Sequence, residues 1–138
     1  MSALTLLRGF FCLLMLATGV AKLMDMQGFF AVVATYQLLP LAWIPPAGWA
    51  LVLVELGLAV WLLSGWRLPW AGLLIVGLHL MYLAWLLLAL ARGLELDNCG
   101  CFGVYLARPL TWWTPLEDLA LLAAAVALYR LARTRSRT

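Results

Sequence analysis

Residues 68–91 read LPWAGLLIVGLHLMYLAWLLLALA, and His79 is the sole group among these 24 able to carry charge near neutral pH. About 20 apolar residues in a helix cross a hydrocarbon core of roughly 30 Å, so this stretch reads as a transmembrane span. The rest of the chain agrees. Hydrophobic residues make up 67% and charged residues 11% of its 138 positions, against roughly 45–50% and about 25% in soluble domains. A soluble domain of this size cannot bury that much apolar surface, and a disordered chain would be poor in apolar residues. One integral-membrane domain covering residues 1–138 remains, an all-α polytopic bundle. Four spans and their loops fit the length; six do not.

The other spans are read outward from this one. The start resembles a signal peptide, with Arg8 followed by an uncharged run from Gly9 to Ala21, and cleavage after Ala21 is conceivable. A retained helix over residues 3–24 is preferred, because it keeps Lys22 and Asp25 attached to the bundle. Met26 to Trp66 contains one charge, Glu55, and is interrupted by Pro40, Pro45 and Pro46. Gly28 to Leu39 is too short to span and reads as a short interfacial helix between spans one and two, with Phe29, Phe30, Val33 and Tyr36 toward lipid. The second span is residues 47–64 and the third 68–91. A polar loop covers residues 92–113, and the fourth span is residues 114–133. Thr114 as N-cap, Pro115 at the first helical position and Glu117 at the third form a capping box at its start.

Four spans place both termini on one side with Arg8, Arg67, Arg130, Arg133, Arg135 and Arg137; the other side holds Lys22, Arg92 and Arg108. The positive-inside rule puts the termini in the cytoplasm. The net charge of +3 reflects that C-terminal juxtamembrane cluster and not a nucleic-acid surface. The loop then faces a periplasm or exterior, where disulfides persist.

That loop carries Asp97-Asn98-Cys99-Gly100-Cys101-Phe102-Gly103. Two thiols one residue apart close a small ring that departs from relaxed disulfide geometry, and strain makes a disulfide easier to reduce. Cys99 and Cys101 are therefore the candidate catalytic pair for thiol–disulfide exchange. A structural disulfide and a two-thiolate clamp for a soft metal are the alternatives, the latter with Met24 or Met26 as thioether ligands for Cu(I) or Hg(II). Cys12 lies inside the first span and reads as an inert small hydrophobe.

Several groups are candidates to support the pair. Lys22 and Asp25, three apart at the outer end of span one, read either as an interfacial ion pair or as an electrostatic aid to thiolate formation. Glu55 and His79 are ionisable groups within spans, where a bundle-interior or functional role is the default expectation. Glu117 and Asp118 are placed at the outer interface near the thiols. No cofactor is fixed by the sequence. The architecture resembles quinone-linked oxidases of the DsbB and VKOR type, which use two cysteine pairs where this chain has one outer pair; what that resemblance implies is a quinone taking the electrons directly, with Glu55 or His79 as proton relay.

Ala21-Lys22-Leu23 with Asp25 and Phe29, the Tyr36 to Pro40 stretch, Glu55, Asp97 to Gly103 and Glu117-Asp118 together resemble the MauE family, methylamine-utilisation membrane proteins grouped with DoxX-like four-helix proteins. The resemblance implies a bacterial cytoplasmic-membrane protein with a four-helix bundle. It also implies association with periplasmic disulfide formation or enzyme maturation, beside a thioredoxin-like partner. The expected function is thus a membrane thiol–disulfide redox protein embedded in the lipid bilayer. Soft-metal binding or transport, or a non-catalytic scaffold, are the rivals.

Overall fold

A computed structural model describes residues 1–137. It is all-helical: α1 (Ala3–Met24), α2 (Met26–Thr35), a 3-10 turn (Leu41–Trp43), α3 (Ile44–Ser64), α4 (Leu68–Ala91) and α5 (Trp113–Arg135). Three stretches are long and apolar enough to cross a membrane: Ala3–Met24, Leu41–Ser64 and Leu68–Ala91. α5 is as long as these, but charges at both of its ends confine its uncharged stretch to Leu119–Tyr129. α1 packs along α3 and α4 along α5, with α1 against α5 closing the bundle.

Polarity in this bundle is inverted relative to a soluble protein. Leu13, Leu53, Val60 and Leu63 point outward and are each about two-thirds exposed (65–68%). Lys22, Glu55 and His79 are buried to 2% exposure or less. Outward apolar faces of this extent are incompatible with water, and charges are retained inside only where they find partners. The chain is accordingly a multi-pass membrane protein.

Three boundaries differ from the sequence reading. α3 starts at Ile44 because Pro45 and Pro46 occupy its first turn, where no intrahelical N–H is needed; only Pro40 interrupts. α2 starts at Met26 because the Asp25 carboxylate accepts a hydrogen bond from Gly28 N at 2.8 Å and caps it. Two of the residues expected to face lipid turn inward instead. Phe29 and Tyr36 are buried, Phe29 beside Met26 and Val52, and Tyr36 beside Leu86 and Cys99. α5 begins at Trp113, so Thr114 is not its N-cap; the Thr114 hydroxyl accepts from Thr111 N instead. Glu117 is then free of capping and pairs with Arg108 at 2.7 Å.

The α4–α5 contact depends on one small residue. A Cβ on Gly72 would lie 3.0 Å from the Tyr129 Cα, a backbone atom that cannot rotate away. Gly72→Val is expected to cost about 1–3 kcal/mol by overpacking, read as a lower melting temperature in detergent micelles. An unchanged melting temperature would mean that the two helices do not approach this closely.

Candidate functional site

The site forms where the loop after α4 folds back over the ends of α1 and α2. Two strand-like hydrogen bonds draw the loop closed: Leu110 N to Leu96 O at 2.8 Å and Cys99 N to Arg108 O at 2.9 Å. Asn98 organises the turn between them. Its side chain accepts from Gly100 N at 2.9 Å and donates to Gly103 O at 2.8 Å. Gly100 and Gly103 hold φ of +79° and +62°, a left-handed region that glycine occupies without a Cβ penalty. Each is also pressed against its neighbours. A Cβ on Gly100 would meet Val32 of α2 at 2.8 Å, and one on Gly103 would meet the Lys22 backbone at 3.2 Å. The thiol segment is therefore seated on the bundle; Cys99 is buried and Cys101 half-buried.

The two sulfurs are 3.4 Å apart, in hydrogen-bond contact as free thiols. Disulfide closure brings them to about 2.05 Å, a short further approach. The contact splits their acidities. The hydrogen bond from Cys101, aided by the Arg108 charge against the opposing effect of burial, pushes the Cys99 thiol down from 9.0 to about 6. The same hydrogen bond, together with burial and the Cys99 charge, pushes Cys101 far upward, with Lys22 opposing. One thiolate stabilised by one thiol is the poised form of an attacking dithiol.

Tyr36 locks the pair from α2. Its hydroxyl donates to Cys99 O at 2.6 Å, and Arg92 donates to the Tyr36 and Gln37 carbonyls. Burial and the charges on Cys101 and Cys99 push the Tyr36 hydroxyl well above its ordinary range, so it stays a donor. Tyr36→Phe is expected to expose a buried carbonyl without a donor, a local cost of about 1–3 kcal/mol. Amide hydrogen exchange over residues 96–103 should accelerate while α1, α3 and α4 keep their protection. Equal rates in both proteins would remove Tyr36 from the lock.

Beneath the loop lies a buried ion pair. Lys22 Nζ donates to both Glu55 oxygens, at 2.7 and 2.8 Å, and the Tyr82 hydroxyl donates to Glu55 Oε1. The Lys22 ammonium also stands 5.7 Å from the ring centroids of Phe29 and Tyr82. Lys22 is thus not the partner of Asp25 at an interface. Asp25 caps α2, and Lys22 turns inward to the middle of α3.

His79 is not bonded to Glu55. Its Nδ1 lies 3.0 Å from Ile75 O, and its ring meets Phe11 and Tyr82 edge-on at 5.7 and 6.0 Å. Asp118 is buried, acts electrostatically on Cys101, and has one oxygen, Oδ2, with no hydrogen-bond partner. Glu117 lies exposed and reaches the thiols only through Arg108.

Cys12 sits in the main core, its Sγ 3.5 Å from Ala59 O. Met26 is buried while Met24 is 67% exposed, so the two thioethers do not converge. Among the described residues no group of three His, Cys, Asp or Glu side chains comes together as a metal site. Tyr82, Asn98 and Arg108 were not singled out in the sequence. Tyr82 had a signal: it lies three residues after His79, on the same face of α4.

The family model described as "Methylamine utilisation protein MauE" matches residues 1–131. A relative from Paracoccus denitrificans named methylamine utilization protein MauE is 32% identical over 122 residues, covering 88% of this chain and 66% of its own length. A relative of the same name from Methylorubrum extorquens is 32% identical over 124 residues, covering 90% of this chain and 67% of its own length. The chain therefore spans about two thirds of the length of these curated relatives. No solved structure matches.

Proposed function

The chain belongs to the MauE family, and on that premise we propose that it is a four-span thiol–disulfide exchange protein of the bacterial cytoplasmic membrane. Cys99 carries the mixed disulfide with the partner, and Cys101 is the second thiol of the exchange. The partner is a periplasmic thioredoxin-like protein, and the exchange serves disulfide formation or maturation of exported proteins. By their names, the curated relatives do their work in methylamine utilisation.

The observation that carries this reading is the thiol pair itself: two sulfurs 3.4 Å apart, in a loop whose backbone is fixed by Tyr36, Asn98 and Arg108. Such a fixed pair opens and closes without rebuilding its surroundings. The four-span arrangement is supported by α5, which lies along α4 and carries Arg133 and Arg135 in its last turn. Arg8 supports cytoplasmic termini. It donates to Leu62 O and Leu63 O at 2.5 and 2.7 Å, which puts it at the α3–α4 turn with Arg67 on the arginine-rich side.

The test is a trapped intermediate. In a Cys12→Ser background, Cys101→Ala membranes are mixed with an oxidised thioredoxin-like protein and quenched in acid. A dithiothreitol-sensitive adduct through Cys99 is expected, and none from Cys99→Ala/Cys101→Ala. If Cys99 alkylates freely yet never forms the adduct, exchange with such a partner is wrong.

A further inference from the structure

A cavity of about 550 Å³ lies between α2, α3 and α4, within the 300–1,000 Å³ range of small-molecule sites. Its α3 wall comes from residues 47–54 and its α4 wall from residues 74–86, the half of α3 distant from the connecting turn and the middle of α4. At the rim, Ala50 and Val54 of α3 and Leu74, Gly77 and Met81 of α4 are exposed on the outside of the bundle. In a membrane that outside is hydrocarbon, so the cavity opens sideways into lipid. Residues 74 to 86 rise about 18 Å along α4, room for a ring and part of a chain. Apart from Tyr36, the residues with polar groups on its wall are Lys22, Tyr82, Trp85 and the Cys99–Cys101 loop.

The thiol chemistry selects the occupant. Closing the dithiol releases two electrons and two protons, and Cys12 lies in a different part of the core, so no second pair within the chain can receive them. A receiver housed in this cavity must be an apolar molecule that accepts two electrons at a small, uncharged head. A phospholipid would bring a charged headgroup into an apolar cleft and accept no electrons. Lys22 has three N–H donors, of which two are engaged by Glu55; the third is available to a carbonyl oxygen.

The geometry points to a lateral binding site for a prenylated quinone, with the head against Cys99, Cys101 and Lys22 and the tail leaving between α3 and α4 past Gly77. The inference rests on the exchange reading above and adds a direction to it. The partner's dithiol reduces the Cys99–Cys101 disulfide. The dithiol is then reoxidised: two S–H bonds break, one S–S bond forms, and both electrons and both protons pass to the quinone, giving hydroquinone.

The test uses reduced Cys12→Ser protein in quinone-free phospholipid nanodiscs under anaerobic conditions, with decylubiquinone as the probe. One hydroquinone should form per Cys99–Cys101 disulfide, with loss of two maleimide mass tags. A Cβ on Gly77 would meet nothing within 4 Å, so Gly77→Trp places an indole across the rim. It should slow oxidation by decylubiquinone at least tenfold, while exchange with a thioredoxin-like protein keeps its rate. Independently of that variant, an azidoquinone should photolabel residues 74–86 of the unaltered helix, in competition with decylubiquinone. A pair that exchanges with the protein partner but is untouched by decylubiquinone overturns the quinone site and leaves the exchange reading standing. Labelling elsewhere, or full-speed oxidation in Gly77→Trp, overturns the lateral route. A pair that answers to neither partner nor quinone overturns both readings.

Discussion

Lys22→Met is expected to destabilise the bundle by about 3–5 kcal/mol, the usual consequence of breaking a buried ion pair from one side. Glu55 is 0% exposed, and both its oxygens depend on the Lys22 ammonium. Without that ammonium, Tyr82 alone faces the carboxylate. The double variant Lys22→Met/Glu55→Gln removes the stranded charge and keeps an acceptor for the Tyr82 hydroxyl, so most of the loss should return. Thermal unfolding in detergent micelles, followed by helix signal, reads both. If Lys22→Met melts with the parent, the pair is not a buried element of the folded protein. If the double variant fares no better than the single one, the loss comes from lysine packing over Phe29 and Tyr82 and not from charge.

The second large effect concerns acidity. Cys99 should alkylate with a midpoint near pH 6, since the Cys101 hydrogen bond holds its thiol at about 6. Cys101→Ala removes that donor and should move the midpoint up to about 8.5 or higher, the range of an unassisted thiol. The sign is set by the anion: a donor stabilises thiolate, so losing it raises the pKa. At pH 7 the change in rate is muted, because the less acidic thiolate is also the stronger nucleophile. The midpoint, and the collapse of reactivity below pH 6, are the decisive readouts. Cys101→Ser retains a hydroxyl donor and should fall between. A midpoint that ignores Cys101 would show that the two sulfurs are not in contact. The linked stability follows the same sign. With folded Cys99 below its unfolded value, this contribution is present above about pH 8.5 and is lost as pH falls through about 6.

Hydropathy alone sufficed for α1, α3 and α4, because a run such as Leu68–Ala91 has few ways to be satisfied other than in lipid. Local chemistry was less decisive. Pro45 and Pro46 read as a break, yet proline is tolerated in a first helical turn, and α3 runs through them. The Thr114–Glu117 spacing matched a capping box, but the helix starts one residue earlier and Arg108 claims the glutamate. In the site, the contact between the two thiols was legible because a single glycine separates them in sequence. The Lys22–Glu55 pair was not, because its members are 33 residues apart and the nearer acid, Asp25, offered a simpler partner. Asp25 was taken by the backbone of α2, a competition that sequence spacing does not settle.

The pairing of Lys22 with Glu55 also imposes an order on biogenesis. A charged residue at the centre of a lone helix adds about 2.5–3.5 kcal/mol to the cost of entering the bilayer. Glu55 sits near the middle of α3, and its counter-charge is carried by a helix made 33 residues earlier. At 5–20 residues per second, the ribosome delivers that second charge about 2–7 s after the first. Through that interval α1 must stay beside the insertion machinery or at the membrane surface. The first three helices therefore pass into lipid as one neutral package, not one by one.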